Sequence, residues 1–128
     1  MGISTRLFCA KGLDPVVSYE QFEKFREKTQ CACPAAVVRL WNGHPDVISE
    51  DDLREWDFIF IDGPWCDGSG GVFFKDRRYA FKLAVSLKPK FIGVHDVDRK
   101  EEQDLIRGFL SGYHEIASTR VFKMFKRT

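Results

Sequence analysis

The sequence lacks an apolar run long enough to span a bilayer, and it lacks an excess of charge of either sign. Its 128 residues include 20 lysines and arginines against 19 aspartates and glutamates, a formal net charge of +1. We therefore expect no membrane-spanning helix and no nucleic-acid partner. The N-terminus also lacks the charged, apolar and small-residue regions of a signal peptide, so the expected location is cytoplasmic.

Cysteine is scarce, with four residues in the chain: Cys9, Cys31, Cys33 and Cys66. Without a secretory signal these are expected to be free thiols. Only Cys31 and Cys33 are close in sequence, and their spacing is tighter than the C-x₂-C spacing of common zinc knuckles. Buried or half-buried thiols are therefore favoured over a zinc site.

Hydrophobic residues make up 44% of the chain and charged residues 30%, with twelve phenylalanines and three tryptophans. This composition is typical of a globular protein, and the length is that of one domain, which we predict to cover residues 1–128. Two apolar runs, residues 57–62 (DFIFID) and 91–96 (FIGVHD), have the length of buried strands. Because neither run alternates with polar residues, both are predicted to lie in a parallel sheet covered on both faces.

Apolar residues at helical spacing predict helices over residues 18–28, 76–87 and 98–110, and a short helix near 49–55. Further strands are predicted at 15–19 and 36–40, and a C-terminal antiparallel hairpin at 113–117 and 120–125. Strands that alternate with helices form βαβ units. The predicted fold is therefore α/β, a Rossmann-like three-layer sandwich with a mostly parallel sheet and this hairpin.

Ligands of open α/β sheets bind beyond the carboxyl ends of the strands, and four polar segments are expected there. The first is Gly2 with Ser4 and Thr5, which could form a cofactor loop that opens a helix; alternatively, the terminus is frayed and Ser4 is an N-cap. The second is Glu20, which could accept hydrogen bonds from a ribose. The alternative is an acid in the first turn of a helix.

The third segment is Asp62-Gly63-Pro64, which is followed by a glycine-rich stretch at residues 68–71. An acid that closes a buried strand costs free energy unless its charge is used, and the glycines would allow close approach to a ligand. The alternative is a capping or turn aspartate.

The fourth segment begins with His95 and Asp96, directly after the second buried strand. His95 could act as a general base, and carboxylate oxygens from Asp62, Asp96 and Asp98 could hold a hard cation. The alternative makes Asp98 an N-cap and pairs Arg99 with Glu102 on a helix surface.

In the order of these elements, the chain resembles class I S-adenosylmethionine (SAM)-dependent methyltransferases, and most closely the group of glucuronoxylan 4-O-methyltransferases and related polysaccharide-biosynthesis domains. The matching motifs are Asp62-Gly63-Pro64, the glycines of residues 68–71, Arg77 or Arg78, and residues 95–102 (HDVDRKEE).

The resemblance implies a role for each site residue. Gly2, Ser4 and Thr5 would hold the methionine part of SAM, Glu20 would bind the ribose, and Asp62 with Gly63 would face the sulfonium. His95 and Asp96 would line the acceptor side as base or metal ligands. The acceptor would be a sugar or another small hydroxyl compound, and a divalent cation would be a second cofactor.

The chain departs from the family because the first, central strand and its Glu/Asp-x-Gly-x-Gly loop are absent before Gly2. We expect a truncated or rearranged domain, and a homo-oligomer because unpaired strand edges favour association. Two other functions stay open: a non-catalytic remnant that serves as a binding or assembly module, and a metal-dependent hydrolase that uses Asp62, His95, Asp96 and Asp98.

Overall fold

The computed structural model describes residues 3–41, 48–63 and 77–128. Gly2, Pro64, Cys66 and the glycines of residues 68–71 lie outside this range. The described elements are, in chain order, α1 (Ile3–Ala10), β1 (Val17–Glu20), α2 (Glu23–Ala32), β2 (Val37–Leu40), a 3₁₀ helix (Glu50–Asp52), β3 (Phe58–Ile61), α3 (Arg78–Ser86), β4 (Phe91–His95), α4 (Lys100–Phe109), β5 (Tyr113–Ser118) and β6 (Phe122–Arg127). Helices and strands are mixed along the chain, which confirms the α/β class.

The chain divides into two compact units, Met1–Val47 and Ile48–Thr128. In the first unit, β1 and β2 form a two-stranded parallel sheet. The side chain of Gln30 on α2 donates to Ala36 O (2.7 Å) and accepts from Val38 N (3.1 Å), which ties this helix to β2. The buried cluster beside it comprises Cys33, Ala36 and Val38 with Cys9 and Val16 packed against them. Among the described cysteines, Cys9, Cys31 and Cys33 are free thiols; Cys33 is buried and Cys9 half-buried as expected, whereas Cys31 is exposed.

The second unit contains a four-stranded sheet in the order β3-β4-β6-β5. Strands β3 and β4 are parallel, and β6 runs antiparallel to both β4 and β5. The predicted C-terminal hairpin is therefore confirmed. The predicted mostly parallel sheet is present only in part, since the described strands form two sheets and the larger one is mixed. None of the described helices has the length and apolar character needed to cross a membrane.

The core of the second unit explains why β3 and β4 are continuous apolar runs. Ile61, Ile92 and Val94 are at most 3% exposed, and Phe81 of α3 is fully buried. Gly93 is enclosed by aromatic rings, because a Cβ atom there would lie 3.0 Å from the ring of Phe122 and 3.1 Å from that of Phe58. The glycine is therefore favoured by the close packing of the rings, which would have to shift by a few tenths of an ångström to admit a side chain, rather than by backbone conformation.

One predicted helix begins in the wrong place. Residues 17–20 belong to β1, and α2 begins only at Glu23, so the prediction of a helix from residue 18 is wrong, and so is the alternative of Glu20 in a first helical turn. The spacing of Tyr19, Phe22 and Phe25 imitates a helical period, although Tyr19 lies in the strand. Helix α3 ends as expected, because Lys88 has a left-handed φ of 50° and Pro89 follows it.

Tyr113 links the hairpin to the segment before β4, since its hydroxyl donates to Pro89 O at 3.0 Å. Burial raises the pKa of Tyr113, against a smaller opposing effect of the Arg127 charge. Because the folded state keeps this proton longer than the unfolded state, stability is expected to fall as the pH rises from about 10 through the raised value. Tyr113→Phe should lose about 1 kcal/mol at neutral pH and should lack this alkaline loss. Urea unfolding at pH 7 and above pH 10 measures both effects, and equal pH dependence in the two proteins would contradict the assignment.

Candidate metal centre

The register of the parallel pair β3–β4 brings two of the predicted polar residues side by side. Phe58 lies opposite Phe91, and Ile61 lies opposite Val94. The residues that follow, Asp62 and His95, therefore leave the sheet at the same level of its carboxyl edge. A shared edge for these two residues is what the sequence predicts.

Asp62, His95 and Asp96 form a cluster in which one ligand atom from each residue lies within 4.8 Å of the other two. His95 Nδ1 is 3.2 Å from Asp62 Oδ1 and 3.1 Å from Asp96 Oδ1. The side chains of Asp62 and His95 are 46% and 38% exposed, whereas that of Asp96 is 18% exposed. The cluster is therefore anchored on its Asp96 side and open to solvent on its Asp62 side.

The Nδ1 atom of His95 is buried and has no hydrogen-bond partner among the described residues, although two carboxylate oxygens approach it. Neighbouring ligand atoms of an octahedral metal, each about 2.1–2.2 Å from the ion, are about 3.0–3.1 Å apart. The two separations from His95 Nδ1, 3.2 and 3.1 Å, are close to this value, and the two carboxylate oxygens lie within 4.8 Å of each other. A buried imidazole nitrogen without a hydrogen bond to any described residue, beside two carboxylate oxygens, fits a divalent cation.

Asp96 reaches the cluster through an unusual backbone conformation. Its φ is 60°, in the left-handed region that aspartate tolerates better than most residues. Arg99 N donates to Asp96 O at 3.0 Å, which closes the turn after β4. Burial raises the pKa of Asp96, but the hydrogen bond and charge of Arg77, with smaller contributions from Arg99 and His95, hold the pKa below its ordinary value. Asp96 is therefore an anion at neutral pH, as a metal ligand must be.

A buried ion pair lies behind Asp96. Arg77 is 4% exposed; its Nη2 donates to Asp96 Oδ2 at 2.8 Å, and its Nε lies 3.6 Å from Glu102 Oε1. Glu102 is 5% exposed, so its predicted pairing with Arg99 on a helix surface is wrong. Burial raises the pKa of Glu102, and the charge of Arg77 opposes this. Sequence patterns did not predict the ion pair of Arg77 with Glu102. The family resemblance named Arg77 or Arg78 as a matching residue, without a partner.

Asp98 lies outside the cluster of three. Its Oδ2 accepts a hydrogen bond from Arg120 Nη1 at 3.1 Å, on an exposed part of the surface. It is also not the N-cap of α4, which begins after Arg99 and has no side-chain cap. The structure thus brings together Asp62 and Asp96 from the predicted metal set, adds the imidazole of His95, and places Asp98 elsewhere.

No family model, curated protein or solved structure matches the chain.

The residues predicted to hold the cofactor are divided between the two units. Ser4 and Thr5 lie in α1, Glu20 is the last residue of β1, and Gly63 follows Asp62 in the second unit. Thr5 is buried and its hydroxyl donates to Ser18 Oγ at 3.0 Å. The Glu20 carboxylate accepts a hydrogen bond from Thr29 Oγ1 at 3.3 Å. Glu20 therefore lies at the carboxyl end of a strand, and its role as a ribose ligand stays a prediction, whereas the Thr5 hydroxyl donates within the first unit.

Proposed function

We propose that the chain is a divalent-cation-dependent enzyme of the SAM O-methyltransferase kind, acting on a sugar or another small hydroxyl acceptor. The observation that carries the proposal is the convergence of Asp62, His95 and Asp96 at the carboxyl ends of two adjacent parallel strands. Carboxyl ends of parallel strands are where open α/β sheets bind their ligands.

The donor set favours a transition metal over magnesium or calcium. Imidazole suits zinc and iron, whereas carboxylates suit manganese and the hard cations, so one imidazole with two carboxylates fits Mn²⁺, Fe²⁺ or Zn²⁺. When bound, such an ion would polarise the acceptor hydroxyl and lower its pKa. Asp62, His95 and Asp96 would hold the ion, and the exposed side of the cluster would leave room for an acceptor.

Methyl transfer needs alignment of the acceptor oxygen with the methyl group and removal of the hydroxyl proton. We assign proton removal to the carboxylate of Asp62, which is the most exposed of the three side chains. Asp96 is less suited to this role, because its second oxygen accepts from Arg77. In this scheme His95 serves as a ligand through Nδ1.

Two parallel strand pairs, one in each unit, support a cofactor fold of the dinucleotide-binding type, although β6 lies between β4 and β5, which the order of such folds would make neighbours. In the doubly wound order 3-2-1-4-5-6, strands 3 and 2 are neighbours and so are strands 4 and 5. The parallel pairs β2–β1 and β3–β4 correspond to these neighbours if the described strands are counted from the second position. Glu20 would then end the strand that carries the ribose-binding acid in such sheets.

Transfer of label from methyl-labelled SAM tests the proposal directly. The full chain is incubated with a panel of uronic-acid-containing saccharides in the presence of Mn²⁺, Zn²⁺ or EDTA, and calorimetry measures binding of S-adenosylhomocysteine. We expect metal-dependent transfer that EDTA abolishes. Absence of both S-adenosylhomocysteine binding at millimolar concentration and label transfer would contradict the methyltransferase proposal and would favour the non-catalytic remnant.

A metal-dependent hydrolase is a second candidate, and one observation favours it. All three metal donors of the cluster belong to the second unit, whereas the predicted cofactor residues Ser4, Thr5 and Glu20 belong to the first. A two-carboxylate, one-imidazole site can activate water without an organic cofactor. Hydrolysis of phosphate or carboxylate esters that requires Mn²⁺ and is unchanged by SAM would favour this candidate over methyl transfer.

A further inference from the structure

Arg77, which is 4% exposed, contacts the cluster from its buried side. Its Nη2 donates to Asp96 Oδ2 at 2.8 Å, and its Nη1 donates to the backbone oxygen of His95 at 3.4 Å. One guanidinium group thus touches two consecutive residues of the cluster, one through its side chain and one through its backbone. A planar group with several fixed donors is suited to hold such an arrangement.

We propose that Arg77 is a positioning residue that turns Asp96 so that Oδ1 faces the cation while Oδ2 is kept away from it. The inference rests on the proposed cation at Asp62, His95 and Asp96. With Oδ2 held by Arg77, Asp96 coordinates through one oxygen only, and a coordination position stays available for the acceptor hydroxyl.

Two features show why Asp96 needs to be held. Its φ of 60° is less favourable than the right-handed or extended regions, so the conformation depends on contacts outside the turn. The Oδ2 atom is also approached by Arg99 at 3.5 Å, but Arg99 is half exposed whereas Arg77 is 4% exposed. The buried arginine is therefore the contact that determines the direction of the carboxylate.

Glu102 completes the arrangement by holding Arg77 in turn. Its Oε1 lies 3.6 Å from Arg77 Nε, and its Oε2 is buried without a hydrogen-bond partner among the described residues. The main compensation for the buried Glu102 carboxylate is thus the Arg77 charge, with smaller contributions from a backbone hydrogen bond and from Arg99. Removal of the Glu102 charge would allow the guanidinium to move away from Asp96.

A cation beside Arg77 creates a test that separates positioning from simple electrostatics. Since Arg77 is positive, repulsion alone predicts that a weakened Arg77 contact leaves cation binding unchanged or tighter. Positioning predicts the reverse. Residues that orient metal ligands typically contribute about 10–100-fold to metal affinity.

The experiment measures the dissociation constant of Mn²⁺ by electron paramagnetic resonance in the full chain, with circular dichroism to confirm folding. One variant is Arg77→Lys, which keeps the positive charge but removes the planar guanidinium group with its several donors. The other is Glu102→Gln, which keeps the shape of the side chain but removes its negative charge. Arg99→Lys is the matched control, because it makes the same change on the exposed side of the same oxygen. We expect about 10-fold weaker binding for Arg77→Lys, a smaller loss for Glu102→Gln, and no change for Arg99→Lys.

Unchanged or tighter Mn²⁺ binding in folded Arg77→Lys overturns the inference, and so does an equal loss in Arg99→Lys. If Arg77→Lys does not fold, Glu102→Asp decides, because it keeps the negative charge but shortens the reach of the carboxylate to Arg77: weaker binding supports positioning, and unchanged binding overturns it. A merely structural role for Arg77 would lower the melting temperature but leave the dissociation constant unchanged well below that temperature. A wild-type chain that binds none of Mn²⁺, Fe²⁺ and Zn²⁺ overturns the proposed cation-dependent function itself, which distinguishes that failure from a failure of positioning alone.

Discussion

Replacement of His95 by glutamine is expected to lower the affinity for Mn²⁺ by about 100-fold or more. The reason is that His95 Nδ1 is the donor shared by both oxygen contacts, 3.2 Å from Asp62 Oδ1 and 3.1 Å from Asp96 Oδ1. Loss of a ligand should exceed the about 10–100-fold effect of losing a group that only orients one. Any metal-dependent activity should fall at least in proportion. Titration of the full chain with Mn²⁺ measures the change.

The chain offers a matched control two residues beyond the cluster. Asp62→Asn and Asp98→Asn make the same chemical change, but Asp98 pairs with Arg120 on the surface. Asp62→Asn should weaken Mn²⁺ binding strongly, and Asp98→Asn should alter it by less than about two-fold, since a screened surface charge contributes little. Equal losses in the two variants would show that general negative charge, rather than a defined site, attracts the ion.

The parts of the site that the sequence predicted are those that follow from strand ends. The apolar runs before Asp62 and before His95 each indicate a buried strand, and two parallel strands place their carboxyl ends at one edge. Adjacency of Asp62 with His95 and Asp96 followed from that reasoning alone. The same reasoning identified the α/β class and the C-terminal hairpin, because both depend on short-range patterns.

The parts that the sequence did not predict depend on which way a side chain turns after its strand or helix. Glu102 has the spacing of a surface partner for Arg99, yet it faces inward because α4 buries that face. Asp98 precedes a helix as an N-cap does, yet the turn at Asp96 directs it to Arg120. No local pattern reports on such contacts, because Arg77 and Asp96 are 19 residues apart.

No sequence feature predicted that the contacts would divide the chain into two units. Composition and length are those of one domain, and no linker-like stretch in the sequence marks a boundary near residue 47. What separates the units is where contacts are made, with β1 paired to β2 and β3 paired to β4. The proposed metal chemistry depends only on the second unit, so its test does not depend on cofactor binding by the first.

Arg77→Met is expected to destabilise the fold by about 3–5 kcal/mol, the usual cost of removing one partner of a buried ion pair. Glu102 would keep a buried carboxylate whose Oε2 has no hydrogen-bond partner among the described residues. The Asp96 carboxylate would lose less stabilisation, since it is 18% exposed and Arg99 lies 3.5 Å from the same oxygen. Most of the loss should therefore come from Glu102.

The double variant Arg77→Met/Glu102→Leu separates the two contributions. Replacement of a whole buried ion pair by apolar residues is often neutral for stability, so this variant should recover more than half of the loss seen in Arg77→Met. Urea unfolding followed by circular dichroism gives the free energies of both proteins. A double variant no more stable than Arg77→Met would mean that the Asp96 contact, and not the Glu102 pair, supplies the stability. Because neither variant keeps the guanidinium, both should bind Mn²⁺ weakly, which makes stability and metal affinity independent measures of the same arginine.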